Sequence, residues 1–275
     1  MNAWLFSAYI VVVVAITGYA WVLAGRDRRL AAEEVALRRR KGAWDDYAPA
    51  GGWGADALAF LAAVGFCFAT FMGFIYAPTE KTMGTVQRIF YFHVPSAWVG
   101  GLAFLVVFVG SVVYLATRSE RADRLAAVSA EVGVLFTSIV LITGPLWGKP
   151  VWGIWWTWDA RLTSTLILWL IYVGYLMVRS QVPDPRRRST LAAVVGILGF
   201  VDVPLVYFSI RWWRTQHPQP VIAGGPGSGL ETHMLYAFFA GLAVFTVLYL
   251  ALLVRGMDLA TRAAKLDALH RRLED

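Results

Sequence analysis

The sequence predicts an all-α, polytopic membrane protein with about seven transmembrane helices, namely one N-terminal anchor and a six-helix body. Three observations predict this. Hydrophobic residues make up 58% of the chain and charged residues only 16%, whereas about a quarter of a soluble domain is charged. The apolar residues fall into seven runs of about 17–23 residues, the length that a helix needs to cross about 30 Å of hydrocarbon. Basic residues are concentrated in alternate loops.

Each apolar run must form a helix, because the bilayer core offers no water to its backbone groups. The runs are Trp4–Ala24, Ala57–Tyr76, Val94–Ala116, Leu125–Leu146, Leu162–Val178, Leu191–Ile210 and Met234–Val254. The first run is predicted to be a retained anchor, since its basic residues follow it and no A-x-A-like cleavage site comes after. The single cysteine, Cys67, lies in the second run, which excludes a disulfide framework, a CxxC pair and a CxxCH haem attachment site.

The basic residues orient the helices. With the N-terminus outside, 19 of the 25 lysines and arginines lie on the cytoplasmic side and six on the outer side. This asymmetry follows the positive-inside rule and predicts a multi-pass protein of the bacterial inner membrane with a cytoplasmic C-terminus. The formal charge of +7 is therefore a topology signal, and we expect membrane lipid and not nucleic acid as a partner.

The composition of the chain changes near residue 50, and this predicts a boundary between two segments. Residues 1–50 are predicted to be the anchor helix, a charged cytoplasmic helix at Arg26–Lys41 and a Gly- and Pro-rich linker at Trp44–Gly54. Residues 51–275 are predicted to be the six-helix domain with a charged cytoplasmic tail from Arg255. His270 in this tail is assigned to a solvated face.

Three outer loops carry the unusual sequence, so the outer face is predicted to be the functional face. Three of the four histidines, His93, His217 and His233, lie on this side. The loops are Ala77–His93, Trp147–Arg161 and Arg211–His233.

The second loop is rich in tryptophan. An interfacial aromatic belt explains one or two tryptophans at a helix end, but five in one short loop with glycine and proline favour a flat platform for a large planar ligand. The tryptophans are Trp147, Trp152, Trp155, Trp156 and Trp158.

Two histidines bracket this loop at the same predicted membrane depth. His93 stands at the outer end of the third apolar run, and His217 lies just beyond the sixth. A lone histidine is more often structural than ligating, but two imidazoles on opposite faces of a porphyrin would give six-coordinate iron. His233 is a rival candidate without aromatic neighbours on its loop side.

Basic residues near the loop are suited to bind the carboxylates of a porphyrin. Arg88, Arg161, Arg211 and Arg214 lie on the outer side, where lipid anchoring is their ordinary role. Arg161 is the one expected near a haem propionate, since a guanidinium matches a carboxylate. Asp159 either pairs with Arg161 or caps the following helix, and the cap is preferred.

Two acids lie inside apolar runs. Glu131 is close enough to the cytoplasmic end to snorkel, and Asp202 lies deeper, beside Pro204. Both are interpreted as helix-packing residues.

Taken together, these segments resemble a known family. WGKPVWGIWWTWDARLTS resembles the WWD signature of haem-handling membrane proteins, and VQRIFYFHVPSAW and IRWWRTQHPQP resemble the two histidine segments of the C protein of the cytochrome c maturation (Ccm) system. The resemblance covers roughly residues 57–254. It implies that His93 and His217 are the axial ligands, that Trp147–Asp159 is the tryptophan motif, and that Arg88 and Arg161 are the motif arginines.

The resemblance also implies a function. Such proteins hold haem b non-covalently at the outer face and promote its attachment to a periplasmic haem chaperone, together with ATP-binding cassette subunits of the Ccm system. We therefore expect an assembly factor and not an enzyme, although whether promoting attachment counts as catalysis stays open. Residues 1–45 resemble the small one-helix D subunit of that system, which suggests a natural D–C fusion.

Other function classes remain as alternatives. A b-type-cytochrome-like oxidoreductase would place its histidines inside facing helices, and a haem or solute permease would show helices broken at the midplane or paired repeats. A haem lyase of the same WWD superfamily would be larger. The chain contains no GxxxxGK[ST] motif, so any ATP must be used by partners.

Overall fold

The computed structural model describes residues 2–38, 53–213, 215–218 and 229–274, and these are almost entirely helical. Seven helical segments of this described part are long and apolar enough to cross a membrane. The prediction of a polytopic all-α membrane protein is therefore confirmed. The helices are α1 (Ala3–Arg38), α2 (Trp53–Phe71), α3 (Phe90–Thr117), α4 (Glu120–Trp152), α5 (Ala160–Gln181), α6 (Pro185–Phe200), α7 (Asp202–Trp212) and α8 (Thr232–Glu274), with a π-helical turn at Met72–Tyr76 and a 3₁₀ turn at Thr85–Ile89.

The antiparallel helices α3 and α4 form the centre of the bundle. Small residues allow their backbones to approach, as at Gly110, where an added Cβ would lie 3.0 Å from the carbonyl oxygen of Ala122. Such close packing is the main source of helix association in a membrane, where no hydrophobic effect drives it. Helices α1, α2 and α8 pack on one side of this pair, and α5, α6 and α7 on the other.

The sixth apolar run is not one continuous helix. The predicted span Leu191–Ile210 is interrupted at Val201, which separates α6 from α7. Pro204 explains the break, because it has no N–H for the carbonyl of Phe200 and its ring clashes with that carbonyl. Beside the break, Oδ2 of Asp202 is buried and has no hydrogen-bond partner in the described part of the chain. Among the described residues, this oxygen therefore bonds neither a neighbouring helix nor an amide freed by the proline.

Both the first and the last helix extend well beyond their apolar spans. The separate charged helix expected at Arg26–Lys41 is instead a direct continuation of α1 to Arg38, and α8 continues through the tail to Glu274. Most of the predicted linker at Trp44–Gly54 and the predicted boundary near residue 50 lie outside the described residues.

The extended parts of α1 and α8 lie side by side and form ion pairs. Asp27 lies 2.8 Å from Arg255 and also bonds Arg262, which in turn lies 3.2 Å from Glu34. Nδ1 of His270 lies 3.2 Å from the Glu33 carboxylate, with 40% of the histidine side chain exposed. His270 is thus partly exposed, in line with the predicted solvated face, and it also pairs with α1.

The bundle has two chemically different ends. The tryptophan end carries Trp4, His93 and the segment 153–159. The basic end carries Arg118, Arg179 and the paired segments of α1 and α8. The charge asymmetry of the sequence predicts that the tryptophan end faces outward.

Candidate functional site

His93 lies in the first turn of α3, directly after the 3₁₀ turn, and only 6% of the residue is exposed. Its Nδ1 lies 2.7 Å from the hydroxyl oxygen of Thr143 on α4. The single hydroxyl hydrogen of Thr143 is donated to the carbonyl oxygen of Ile139, 2.7 Å away. Nδ1 of His93 must therefore carry a hydrogen and donate it to Thr143, which leaves the Nε2 lone pair of His93 free.

His217 reaches the same region from the segment after α7, where it is half-buried. Its Nδ1 lies 2.9 Å from the carbonyl oxygen of Pro218. Because a carbonyl oxygen only accepts, Nδ1 carries the hydrogen here too. Burial and, after it, the nearby Arg161 cation lower the pKa of the His217 imidazole to about 4. At neutral pH His217 is thus uncharged, with its Nε2 lone pair available.

Trp147 contacts both histidines. The centroid of its ring lies 6.0 Å from that of His93 and 6.5 Å from that of His217, and both contacts are edge-to-face. Trp147 is buried, yet its indole N–H has no hydrogen-bond partner among the described residues. The structure therefore brings together three predicted site residues from α3, α4 and the segment after α7.

The tryptophan loop begins later than the sequence suggests. Helix α4 continues past two prolines to Trp152, so the predicted loop start at Trp147 is wrong. Gly153 ends the helix with a φ of +79°, a left-handed conformation that glycine favours. The Lys149 ammonium group donates to the Gly153 carbonyl oxygen at 2.9 Å and stabilises this end. Trp147 is consequently held on a rigid helix.

The five indoles of this region do not form one flat platform. Trp147 and Trp152 are nearly parallel, with an interplanar angle of 29°, whereas Trp156 and Trp158 meet edge to face at 77°. Trp155 turns towards the first turn of α1. Trp155 is 51% exposed and Trp158 is 76% exposed. One parallel pair beside the histidines and a more exposed outer set replace the predicted platform.

Asp159 and Arg161 have different roles. Oδ1 of Asp159 accepts from the backbone N–H of Leu162 at 3.0 Å, so the predicted helix cap is confirmed. Its Oδ2 accepts from the Thr157 hydroxyl at 3.0 Å. In contrast, Nη1 of Arg161 is buried and has no hydrogen-bond partner among the described residues. A carboxylate-bearing ligand would supply the acceptor that this guanidinium lacks.

Arg88 and His233 lie at the tryptophan end, where their bonds join them to other groups. Arg88 donates from Nη1 to the Gly73 carbonyl oxygen at 2.7 Å and from Nη2 to the Thr79 hydroxyl at 3.2 Å. These bonds hold the π-helical turn and the loop that follow α2, and a contact of Arg88 with haem stays a prediction. Nδ1 of His233 lies 2.7 Å from the Glu231 carboxylate. Its ring lies 5.5 Å from that of Tyr76, an aromatic neighbour that comes from outside its own loop.

Two residues of this region were not identified from the sequence. Thr143 lies one helical turn before Trp147, and this i, i+4 spacing in a polar–aromatic pair could have suggested a shared face. Trp4 contacts Trp155 from α1, and no local pattern predicts a contact between residues so far apart. Arg214 and residues 219–228 of the third loop lie outside the described residues.

Comparison with known proteins gives a clear family match. Residues 47–272 match the family described as CcmC, Heme exporter protein C. Heme exporter protein C of Bradyrhizobium diazoefficiens is 36% identical over 205 residues, which is 74% of this chain and 76% of that protein. The Escherichia coli K12 protein of the same name is 37% identical over 167 residues, covering 60% of this chain and 68% of its own.

A plant relative gives a similar result. This relative is named as a cytochrome c biosynthesis ccmC-like mitochondrial protein of Marchantia polymorpha, and it is 36% identical over 187 residues. The match covers 66% of this chain and 79% of that protein. The family match contains both histidine segments and all five tryptophans, but it does not include residues 1–46. The resemblance of the N-terminal segment to a small one-helix subunit stays a prediction.

Proposed function

This chain belongs to the heme exporter protein C family, and we propose that it holds haem at its tryptophan end and presents it during c-type cytochrome biogenesis. The family connects the chain with haem handling in that process. We extend this role to specific iron ligands, a type of haem, a membrane face and partner proteins.

One observation carries the proposal of axial ligation. Both imidazoles that contact Trp147 use Nδ1 as a hydrogen donor, to Thr143 in one case and to Pro218 in the other. Each therefore offers the Nε2 lone pair, which is the atom that binds iron when the other ring nitrogen is held by an acceptor. We infer that His93 and His217 are the two axial ligands of a non-covalently held haem b.

Unpaired donors at the tryptophan end support the same ligand. Nη1 of Arg161 and the indole N–H groups of Trp147 and Trp156 are buried, and the described part of the chain offers them no hydrogen-bond partner. Leaving buried donors unmet is unfavourable, by about 1–3 kcal/mol for each group. Haem propionates are acceptor-rich carboxylates, and we infer that at least one of them bonds Arg161.

The direction of presentation follows from the ends of the bundle. We propose that the tryptophan end faces the outside of the bacterial inner membrane, since most basic residues lie at the opposite end. The exposed Trp158 would then lie where a periplasmic haem chaperone could approach the porphyrin edge. ATP-binding cassette subunits of the Ccm system would supply energy, and this chain would act as a delivery and assembly factor.

The ligand assignment can be tested on protein purified from a haem-replete host. We expect the spectrum of a bis-histidine haem, and we expect His93→Ala and His217→Ala each to lower hemin affinity by more than about 100-fold, since even neighbours of metal ligands change affinity 10–100-fold. The measurements are the Soret spectrum and a hemin titration.

His233→Ala is the matched control, because His233 is an exposed histidine of the same end that pairs with Glu231. It should leave the titration unchanged. Unaltered haem spectra in both His93→Ala and His217→Ala would show that other groups bind the iron.

A further inference from the structure

Helix α1 is part of the bundle even though it precedes the segment that matches the family. The match begins at residue 47, whereas α1 ends at Arg38. Leu5, Ala8 and Val12 of α1 are at most 2% exposed. They pack into the same core as residues of α3, α4 and α8. Helix α1 is therefore packed as part of the bundle although it lies outside the matched segment.

The first turn of α1 reaches the tryptophan region directly. The ring centroid of Trp4 lies 5.2 Å from that of Trp155, with an interplanar angle of 65°. The Lys149 ammonium group also contacts Trp155, and its nitrogen lies 6.0 Å from the ring centroid. Because Trp155 is 51% exposed and belongs to a segment without regular structure, these contacts decide where its ring lies.

Bonds along the middle of α1 prevent it from sliding relative to α4. Glu131 of α4 accepts from the Tyr19 hydroxyl at 3.1 Å and from Nη1 of Arg26 at 2.8 Å. This explains the intramembrane carboxylate, since Glu131 shares its charge with a cation of α1. A helix fixed at this point also fixes the height of Trp4, about five turns away.

The basic end of α1 is fixed to α8. The two helices are parallel, and leucines recur on each of them every seven residues, which is the spacing of a coiled-coil seam. These leucines are Leu23, Leu30 and Leu37 on α1 and Leu252, Leu259 and Leu266 on α8. The bonds of Asp27 and Glu34 to Arg262 close the same seam.

We propose that α1 is a strut that positions Trp155 of the haem site through Trp4. Trp4 is thus a positioning residue, which acts on haem through another side chain. This inference rests on the proposed function, because it assigns to α1 the task of holding one indole of the haem-binding face in place. The strut is contributed by residues outside the family match.

A double-substitution cycle tests the proposal through hemin affinity. Trp4→Ala should weaken hemin binding about threefold to tenfold, as the loss of one aromatic pair predicts, and Trp4→Phe should restore most of it. Trp155→Ala should weaken binding at least as much, and the double variant should bind like Trp155→Ala alone. If the two effects simply add, or if Trp4→Ala binds hemin normally, the strut is refuted.

Trp21→Ala is the matched control. It removes the same side chain from the same helix, at a position that is 72% exposed. Hemin affinity should not change. An equal loss in Trp21→Ala and Trp4→Ala would mean that any damage to α1 acts on the site, and the specific role of Trp4 would be lost.

A cross-linking experiment tests the contact without haem. Cys67 is the single cysteine, so a Cys67→Ala background allows thiols to be placed freely. The pair Trp4→Cys and Trp155→Cys should join with a short bifunctional thiol reagent, and the pair Trp21→Cys and Trp155→Cys should not. Failure of the first pair to join would refute the strut alone, whereas absence of hemin binding by the unsubstituted protein would refute the proposed function.

Discussion

Charged and donor groups have different surroundings at the two ends of this bundle. At the basic end, guanidinium and carboxylate groups pair with each other, as Arg179 does with both carboxylate oxygens of Asp123 at 2.6 and 2.9 Å. At the tryptophan end, Nη1 of Arg161 and two indole N–H groups lie buried with no hydrogen-bond partner in the segments that the structure describes. Near the basic end, single atoms of Arg124 and Asp258 also lack partners within the described ranges, but Arg124 still pairs with Glu120.

This difference indicates where stability and function reside. A buried charge is tolerated when it is paired, and breaking such a pair is strongly destabilising. An unpaired donor lowers stability in the empty protein and becomes useful only when a ligand supplies the acceptor. We therefore expect substitutions at the tryptophan end to alter haem affinity and those at the basic end to alter stability.

The largest effect in this comparison should come from Arg161→Gln. Loss of a charge-assisted hydrogen bond to a propionate, about 1.5–3 kcal/mol, should weaken hemin binding about tenfold to a hundredfold. The melting temperature of the haem-free protein should not fall, because the substitution removes a buried cation whose Nη1 bonds none of the residues that the structure describes.

Hemin titration and thermal unfolding of the same preparation measure both quantities. Arg211→Gln is the control, since Arg211 is an exposed arginine of the same end, and it should bind hemin normally. A lower melting temperature together with unchanged hemin affinity would show that Arg161 stabilises the fold and does not bind haem. This result would contradict the proposed difference between the two ends.

A smaller effect is expected for Thr143→Val, which keeps the shape of the side chain but removes the acceptor for Nδ1 of His93. The ring would lose the bond that fixes its orientation and tautomer, and hemin affinity should fall about tenfold. Thr143→Ser should restore it.

The matched control for this change is Thr137→Val on the same helix, where the hydroxyl bonds only carbonyl oxygens of α4 itself. Its Soret spectrum and affinity should match those of the unsubstituted protein. Equal behaviour of Thr143→Val and Thr137→Val would argue against an orienting role for Thr143.

The smallest effect on haem should follow Asp27→Asn at the basic end. It weakens the bonds to Arg255 and Arg262 and should lower the free energy of unfolding by about 1–3 kcal/mol. Hemin affinity should change less than about twofold, since the buried residues of α1 and the Glu131 bonds still hold the helix.

Chemical denaturation in detergent measures this stability change, with Asp267→Asn on the exposed face of α8 as the control. If Asp27→Asn weakened hemin binding as much as Arg161→Gln does, the division of tasks between the ends would be wrong.

The fold was predictable because membrane spans are read from the length and polarity of single segments. All seven spans were expected, and Asp159 was predicted correctly as the cap of α5. The break at Val201 was missed because Pro204 can either kink or be absorbed in a membrane helix, and only neighbouring contacts decide which occurs. The true end of α4 at Trp152 was missed for the same reason, since two prolines near its end suggested a loop.

The site was predictable in its residues but less so in its arrangement. His93, His217 and Trp147 could be chosen by type and position, and the structure brings them together. Thr143 and Trp4 were missed because their roles depend on which helices are neighbours, and the pattern of one segment does not contain that information. The angles between the indoles likewise depend on the chain fold around Gly148 and Gly153.

The parallel seam between α1 and α8 has a genetic consequence. The contacts described for α1 are made by side chains within residues 3–38, and none of them requires that this helix share a polypeptide with the rest. Two open reading frames, one for the helix and one for the bundle, could encode the same assembly if the helix docks after insertion. When one chain contains both the helix and the bundle, their stoichiometry is fixed at one to one. The concentration of the helix near the bundle is also higher than for two separate chains.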